Sequence, residues 1–121
     1  MDKFSVVTIV KGRRKQLANV LESIKMSTLL PYDIQVVCMD TDDEIPIPAS
    51  LPVEIHPVDN AEELPLAAAR NYGAALTKTD HIIFLDVDCL VSPTLFQELL
   101  KQLDEQRIVT AYPLYLPTVP D

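Results

Sequence analysis

Two aspartates one residue apart, Asp86 and Asp88 in the stretch FLDVDCL (residues 84–90), are the side chains of this sequence best suited to chemistry. Carboxylate oxygens are the donors that hard cations such as Mg2+ and Mn2+ prefer. In a non-helical turn, an i, i+2 pair can direct one carboxylate at a cation and the other at the same cation or at a ribose hydroxyl. The pair ends the apolar run Ile82 to Leu85, which reads as a strand buried on both faces. The carboxylates therefore emerge at the strand's carboxyl edge, where ligands bind in open α/β sheets. That placement, more than the triplet, separates them from a solvated acidic turn. Cys89 adjoins the pair, but a thiol is a poor ligand for hard cations and reads as small apolar packing.

Other polar residues are weaker candidates. Arg70 lies in AARNYG (68–73) on a helical stretch, where by itself it reads as a solvated residue or an ion-pair partner of Glu62 or Glu63. Lys11, Arg13 and Arg14 follow the first strand-like run and suit either a diphosphate or a plain basic surface. Asp42, Asp43 and Glu44 read as a solvated acidic loop, and His56 and His81 have no partner at ligand spacing. With only Gly12 and Gly73, the chain has neither GxGxxG nor GxxxxGK and cannot cradle phosphates in a glycine loop. A divalent cation is the other common means of holding a diphosphate.

The elements that must position these groups alternate in type. FSVVTIV (4–10), IQVVCM (34–39) and VEIHPV (53–58) read as strands, the third towards an edge because of Pro57. Leu17, Val20, Leu21 and Ile24 recur at helical spacing between the first two. Residues 41–52, with Pro46, Pro48 and Pro52, read as a loop. A second helix is expected over 64–76, with Pro65 in its first turn; Gly73 inside it costs about 1 kcal/mol relative to Ala, which signals close backbone approach to sheet or ligand. The central strand 81–85 follows. Ser92 and Pro93 then suit the start of a third helix whose inner face is Leu95, Phe96, Leu99, Leu100 and Leu103. RIVTAY, from Arg107, reads as a last strand. The alternation predicts a right-handed, doubly wound α/β layer.

Size and composition bound the function. A chain of 121 residues holds one domain with a core but is small for a complete enzyme. Eighteen acidic against 10 basic residues, a formal net charge of −8, argue against a nucleic-acid surface. No stretch approaches the roughly 20 apolar residues of a membrane span, and Met1 to Val10 lacks a signal-peptide design, so a cytoplasmic protein is expected. Cys38 and Cys89 show neither CxxC spacing nor a multi-cysteine framework and read as buried free thiols.

Taken together, the Ala-Arg-Asn-x-Gly of residues 69–73, followed some ten residues later by an apolar strand ending in DxD, resemble the family-two glycosyltransferases of the GT-A fold. The resemblance runs from about Phe4 to Tyr112 and covers the first, nucleotide-binding half of a typical family domain. It implies a Rossmann-like, mainly parallel sheet with helices on both faces, a nucleotide-sugar-binding portion over 1–112 and a tail over 113–121. It further implies that Asp86 and Asp88 bind the donor diphosphate through Mn2+ or Mg2+, with Asp88 the main ligand and Asp86 also contacting the ribose. Asp40 would contact base or ribose, Arg70 would line the nucleotide pocket, and Asn71 and Gly73 would shape the helix. The transfer would proceed with inversion to an unknown acceptor, and no catalytic residue is assigned because the family draws its base from the other half of the domain. Two departures concern the base: the family's opening Pro and Asn are here Val10 to Arg13, and its Asp-Asp-Gly-Ser is here Asp40, Thr41, Asp42, Asp43.

Two rival readings remain in view. One is a non-catalytic nucleotide- or cation-binding domain that needs a partner chain. The other is a receiver-like signalling module, which fits poorly because the first strand runs into KGRR rather than an acidic pair.

Overall fold

The structure, a computed structural model, describes residues 3–12, 14–39, 47–58 and 66–102. Its elements run β1 (Phe4–Val10), α1 (Arg14–Lys25), β2 (Asp33–Cys38), β3 (Val53–Pro57), α2 (Leu66–Leu76), β4 (His81–Phe84) and α3 (Leu95–Gln102). The four strands form one parallel sheet in the order β3-β2-β1-β4. β3 is an edge strand, as its proline requires. The chain steps from β1 outward through β2 to β3, then returns to the other side of β1. That reversal makes the junction of β1 and β4 the topological switch point, the place where doubly wound sheets bind ligands. The order differs from the 2-1-3 start of receiver-like sheets, which removes that rival.

Alternate residues of a strand face opposite sides. On one side, Phe4, Val6 and Val10 meet Ile34 and Val36, the α1 stripe Leu17, Val20, Leu21 and Ile24, and Phe96 of α3. Phe4 and Phe96 stack tilted, with ring centroids 5.1 Å apart. Each such fully buried side chain contributes about 1.5–3 kcal/mol, so this face holds most of the core. On the other side α2 lies over β1 and β2, where Ala69 joins Val37 and Met39 in a smaller cluster. A Cβ on Gly73 would stand 2.6 Å from Cγ1 of Val7 and 3.2 Å from Cγ2 of Val37. The close approach read from the sequence is thus an approach to the sheet.

The same side carries a buried polar network at the amino ends of the strands. Asp33 is 2% exposed and accepts from the Ser5 hydroxyl at 2.5 Å, the Gln35 amide at 2.7 Å and the Lys78 backbone N–H at 3.3 Å. The hydroxyls of Ser5 and Thr79 lie 2.7 Å apart. Gln35 also donates to Glu54 at 2.9 Å, and its carbonyl oxygen faces Nε2 of His56 at 2.6 Å, so that ring nitrogen donates. Glu54 pairs in turn with Lys78 at 2.8 Å. The turn from α2 to β4 is thereby tied to β1, β2 and β3. This network fixes the two elements that carry Arg70 and Asp86.

Several expectations need correction. Among the described residues, the strand before Asp86 lies at an edge of the sheet and is not buried on both faces. β4 is the edge strand of the described sheet, and Phe84 is 50% exposed, because α2 covers β1 and β2 while only Ile83 and Leu85 turn towards the core. β2 begins one residue earlier than expected, at Asp33. The third helix starts at Leu95 rather than at Pro93: Ser92 opens a turn closed by the Leu95 N–H, and the Thr94 carbonyl accepts the first helical bond, from Glu98. Pro93 instead offers its carbonyl to the Thr28 N–H at 2.8 Å. Cys38 is buried as read, but Cys89 is only half-buried. Pro65, Leu103, the expected strand from Arg107 and the tail lie outside the described residues.

Candidate functional site

The carboxyl ends of β1 and β4 and the first turns of α2 enclose a shallow crevice lined by Val7, Ile9, Leu66, Arg70, Phe84, Leu85 and Asp86. Each wall has a local cause. β4 stays paired to β1 up to its end, where the Leu85 N–H donates to the Val7 carbonyl at 2.9 Å. A β-turn follows, closed by the Cys89 N–H on the Asp86 carbonyl at 3.1 Å. Val87, within that turn, is buried against the main core and anchors it. Asp86 and Asp88 flank this anchor and are exposed, so the expected non-helical i, i+2 geometry is present.

Arg70 projects from α2 towards the same place. Its guanidinium nitrogen lies 3.8 Å from Oδ1 of Asp86, with the two side chains 45% and 74% exposed. The partner is therefore Asp86; Glu62 and Glu63, the alternatives read from the sequence, lie outside the described residues. An exposed pair at this distance is worth at most about 1 kcal/mol, too little to explain the arrangement as a stabilising device. Two motifs 16 residues apart in sequence, counted from Arg70 to Asp86, meet in one crevice.

On the opposite side of the switch point, Gly12 follows β1 with a φ of 64°, a left-handed conformation that costs other residues about 1–2 kcal/mol. It turns the chain from strand into α1 and leaves Lys11 exposed at the carboxyl end of β1. Asp40 would follow Met39, whose N–H donates to the Val10 carbonyl at 2.8 Å and extends the β1–β2 pairing. Asp40 itself, with Arg13, Asp42, Asp43 and Glu44, lies outside the described residues.

Among the described residues, no group of three or more His, Cys, Asp or Glu side chains could hold a metal ion. The donor set is two carboxylates on one turn. It suits a hard cation that completes its shell with water and phosphate oxygens, and does not suit a closed protein cage. Cys89 adds nothing: burial pushes its thiol up, with Asp86 and Asp88 adding to the effect, so it is a poor nucleophile and a poor ligand at neutral pH. His56, which spacing left without a role, belongs to the polar network and meets Tyr72 edge-on at 6.3 Å. The sequence reading missed that network. Its signal was the alternation Asp33, Gln35 beside apolar neighbours; the register then sets Ser5 opposite Asp33 on the same face.

Comparison with known proteins gives a consistent result. The family described as Glycosyl transferase family 2 matches residues 5–117. An uncharacterized glycosyltransferase of Bacillus subtilis (strain 168), YwdF, is 29% identical over 103 residues, covering 84% of this chain and 38% of that protein. Among solved structures, S. aureus TarS 1–349 in complex with UDP-GlcNAc superposes with a TM-score of 0.70 at 17% identity, over 84% of this chain and 31% of that one. TarS 1–349 in complex with UDP gives 0.67 at 16% identity, over 84% and 32%. At these identities the structural likeness shows a shared fold, and the chain spans well under half the length of these relatives. No helix among the described residues is long and apolar enough to cross a membrane.

Proposed function

Because the chain belongs to glycosyl transferase family 2, we propose that it forms the donor-binding portion of a glycosyltransferase that takes a nucleoside-diphosphate sugar and a divalent cation, Mn2+ or Mg2+. The observation that carries this reading is the meeting of Arg70 and Asp86 at the switch-point crevice. Asp86 and Asp88 are the groups that would hold the cation, and Arg70 offers the planar fork that suits phosphate oxygens or a nucleoside. Asp40 is assigned to base or ribose on the family resemblance. The cation, when bound, supplies a Lewis acid for the charge that develops as the diphosphate departs. The apolar side chains Val7, Ile9, Leu66 and Phe84 would give the donor one wall to pack against. Transfer is to an acceptor hydroxyl, with inversion as the family resemblance implies. Uridine diphosphate sugars are the first donors to try, since a structural relative is known in complex with UDP-GlcNAc.

One observation favours a narrower reading, a binding portion that needs further residues for catalysis. Among the described residues lining the crevice, the only carboxylate is Asp86, and Arg70 already faces it. The deciding experiment is calorimetric titration with a panel of nucleoside diphosphates, with and without Mn2+. Cation-dependent binding of one of them is expected; binding indifferent to chelator, or absent throughout, would sink the proposal.

A further inference from the structure

Resting on the donor site just proposed, we propose that Arg70 is a transferable counter-ion: it neutralises Asp86 in the nucleotide-free chain and passes to the diphosphate when donor binds, so that cation and nucleotide each strengthen the other's binding. The argument starts from what holds each partner. The Asp86 backbone is fixed, by the Leu85–Val7 backbone bond on one side and the turn to Cys89 on the other, and its short side chain has little reach beyond that turn. The α2 backbone is fixed as well, by fully buried Ala69 and by Gly73 pressed onto Val7. The Arg70 side chain is not. It is 45% exposed, and its contact with Asp86 is a long one at 3.8 Å. Exposed pairs of this kind are weak and readily exchanged.

The charges then decide the order of events. Among the described residues lining the crevice, Arg70 and Asp86 are the only charged ones; Val7, Ile9, Leu66, Phe84 and Leu85 are apolar. A guanidinium this close opposes any further positive charge at the same carboxylate. A cation arriving alone therefore meets repulsion from Arg70 as well as attraction from Asp86 and Asp88. A diphosphate removes the conflict, because it offers anionic oxygens to both the cation and the arginine. The favourable coupling is reciprocal by linkage. One substitution should consequently act with opposite signs on the two ligands. Arg70→Ala should tighten cation binding in the absence of nucleotide while weakening nucleotide binding in the presence of cation. A merely structural arginine would weaken both or neither.

The test uses the 121-residue chain as parent, with Arg70→Ala and Arg70→Lys. Mn2+ alone is titrated and followed by the paramagnetic resonance signal of the free ion. UDP, or GDP or ADP if UDP does not bind the parent, is then titrated by calorimetry at zero and saturating Mn2+. For Arg70→Ala we expect Mn2+ affinity to rise about three- to tenfold, the scale of removing one charge from a solvated site. Nucleotide affinity with Mn2+ should fall about ten- to a hundredfold, the loss of one charge-assisted hydrogen bond. Arg70→Lys, which keeps the charge but not the fork, should retain parent-like Mn2+ affinity and recover part of the nucleotide affinity. Thermal melts confirm that each variant is folded. If the parent shows cation-dependent nucleotide binding but Arg70→Ala leaves Mn2+ affinity unchanged or lower, the counter-ion role alone is overturned. If the parent binds none of these nucleoside diphosphates at zero or saturating Mn2+, the donor site fails and takes the counter-ion role with it.

Discussion

Asp86 and Asp88 share a turn but differ in placement, since Asp86 lines the crevice and Asp88 does not, and that difference separates their expected roles. Asp86 faces Arg70 across the crevice, while Asp88 stands on the far side of the buried anchor Val87. Asp88 is exposed, so its replacement should alter ligand chemistry without touching the core. We expect Asp88→Ala to bind nucleoside diphosphate weakly and with no response to Mn2+ or chelator. Its ligand-free stability should stay within about 0.5 kcal/mol of the parent's, as for other surface substitutions. Calorimetry and a thermal melt check the two halves; retained Mn2+ dependence would remove Asp88 from the site. The exposed, non-helical turn that carries the pair was legible in sequence, because polar residues that end an apolar run mark where a strand stops. The Arg70–Asp86 contact was not, since it depends on which strands a helix covers, and Asp40 lies outside the described residues.

Among the elements, α2 is the one whose sequence and packing pull in opposite directions. Helix propensity alone favours Ala over Gly by about 1 kcal/mol, so Gly73→Ala in a solvated helix would stabilise. Here the added Cβ would fall 2.6 Å from Val7 Cγ1, on a central strand that cannot retreat because α1 packs behind it. Overpacking of that kind costs about 1–3 kcal/mol. Gly73→Ala should therefore lower stability in urea denaturation, and trimming Val7 to Ala in the same chain should recover part of the loss through non-additivity. A second test concerns the network that ties the turn before β4 to the sheet. The Lys78 hydrogen bond, with help from Gln35, holds the Glu54 carboxyl below its ordinary value of 4.5, and Glu54 raises Lys78 above 10.5. A depressed carboxyl contributes stability above its unfolded pKa and loses it as pH falls through the folded one; a raised lysine contributes below its unfolded pKa and loses it as pH climbs through the folded one. The pair thus contributes between about pH 5 and pH 10, modestly, since both side chains are about half exposed. Lys78→Met should melt slightly below the parent at pH 7 and level with it at pH 3; an equal gap at both would show that the ion pair is not responsible. The strands, the helices and their alternation were readable because β-branched runs and helical spacing are local signals. The edge position of β4 was not, because an apolar run does not reveal which faces its neighbours cover. The burial of Asp33 was equally hidden, as its partners come from β1, β2 itself and the turn after α2.

For the molecule as a whole, the question is how much of a transferase these residues make. They supply a parallel sheet, a switch point and a crevice lined by an arginine and one carboxylate, Asp86, with Asp88 two residues on in the same turn, and the family match covers residues 5–117. An inverting transfer also needs a general base within hydrogen-bond reach of the acceptor hydroxyl. Asp86 is a poor choice, since Arg70 faces it and the proposed cation would claim it. Cys89 is pushed away from its thiolate form by burial, and His56 is held by Gln35 on edge strand β3, with β2 between it and the β1–β4 crevice. Asp104, Glu105 and Asp121 lie outside the described residues. Among the described residues, Phe84 is half exposed at the end of β4, next to the crevice. We therefore expect the 121-residue chain to bind a nucleotide sugar with Mn2+, to hydrolyse it slowly at most, and to transfer no sugar. Incubation with Mn2+, a nucleotide-sugar panel and a broad acceptor set, with mass spectrometry for glycosylated product and calorimetry to confirm that donor is bound, separates the possibilities. Product formed by this chain and lost in Asp88→Ala would mean that a base resides within these residues. Donor binding with neither product nor an effect of Asp88→Ala would place the nucleotide elsewhere than the DxD turn. Binding that depends on Asp88 and yields no product is what a donor platform without its base must give.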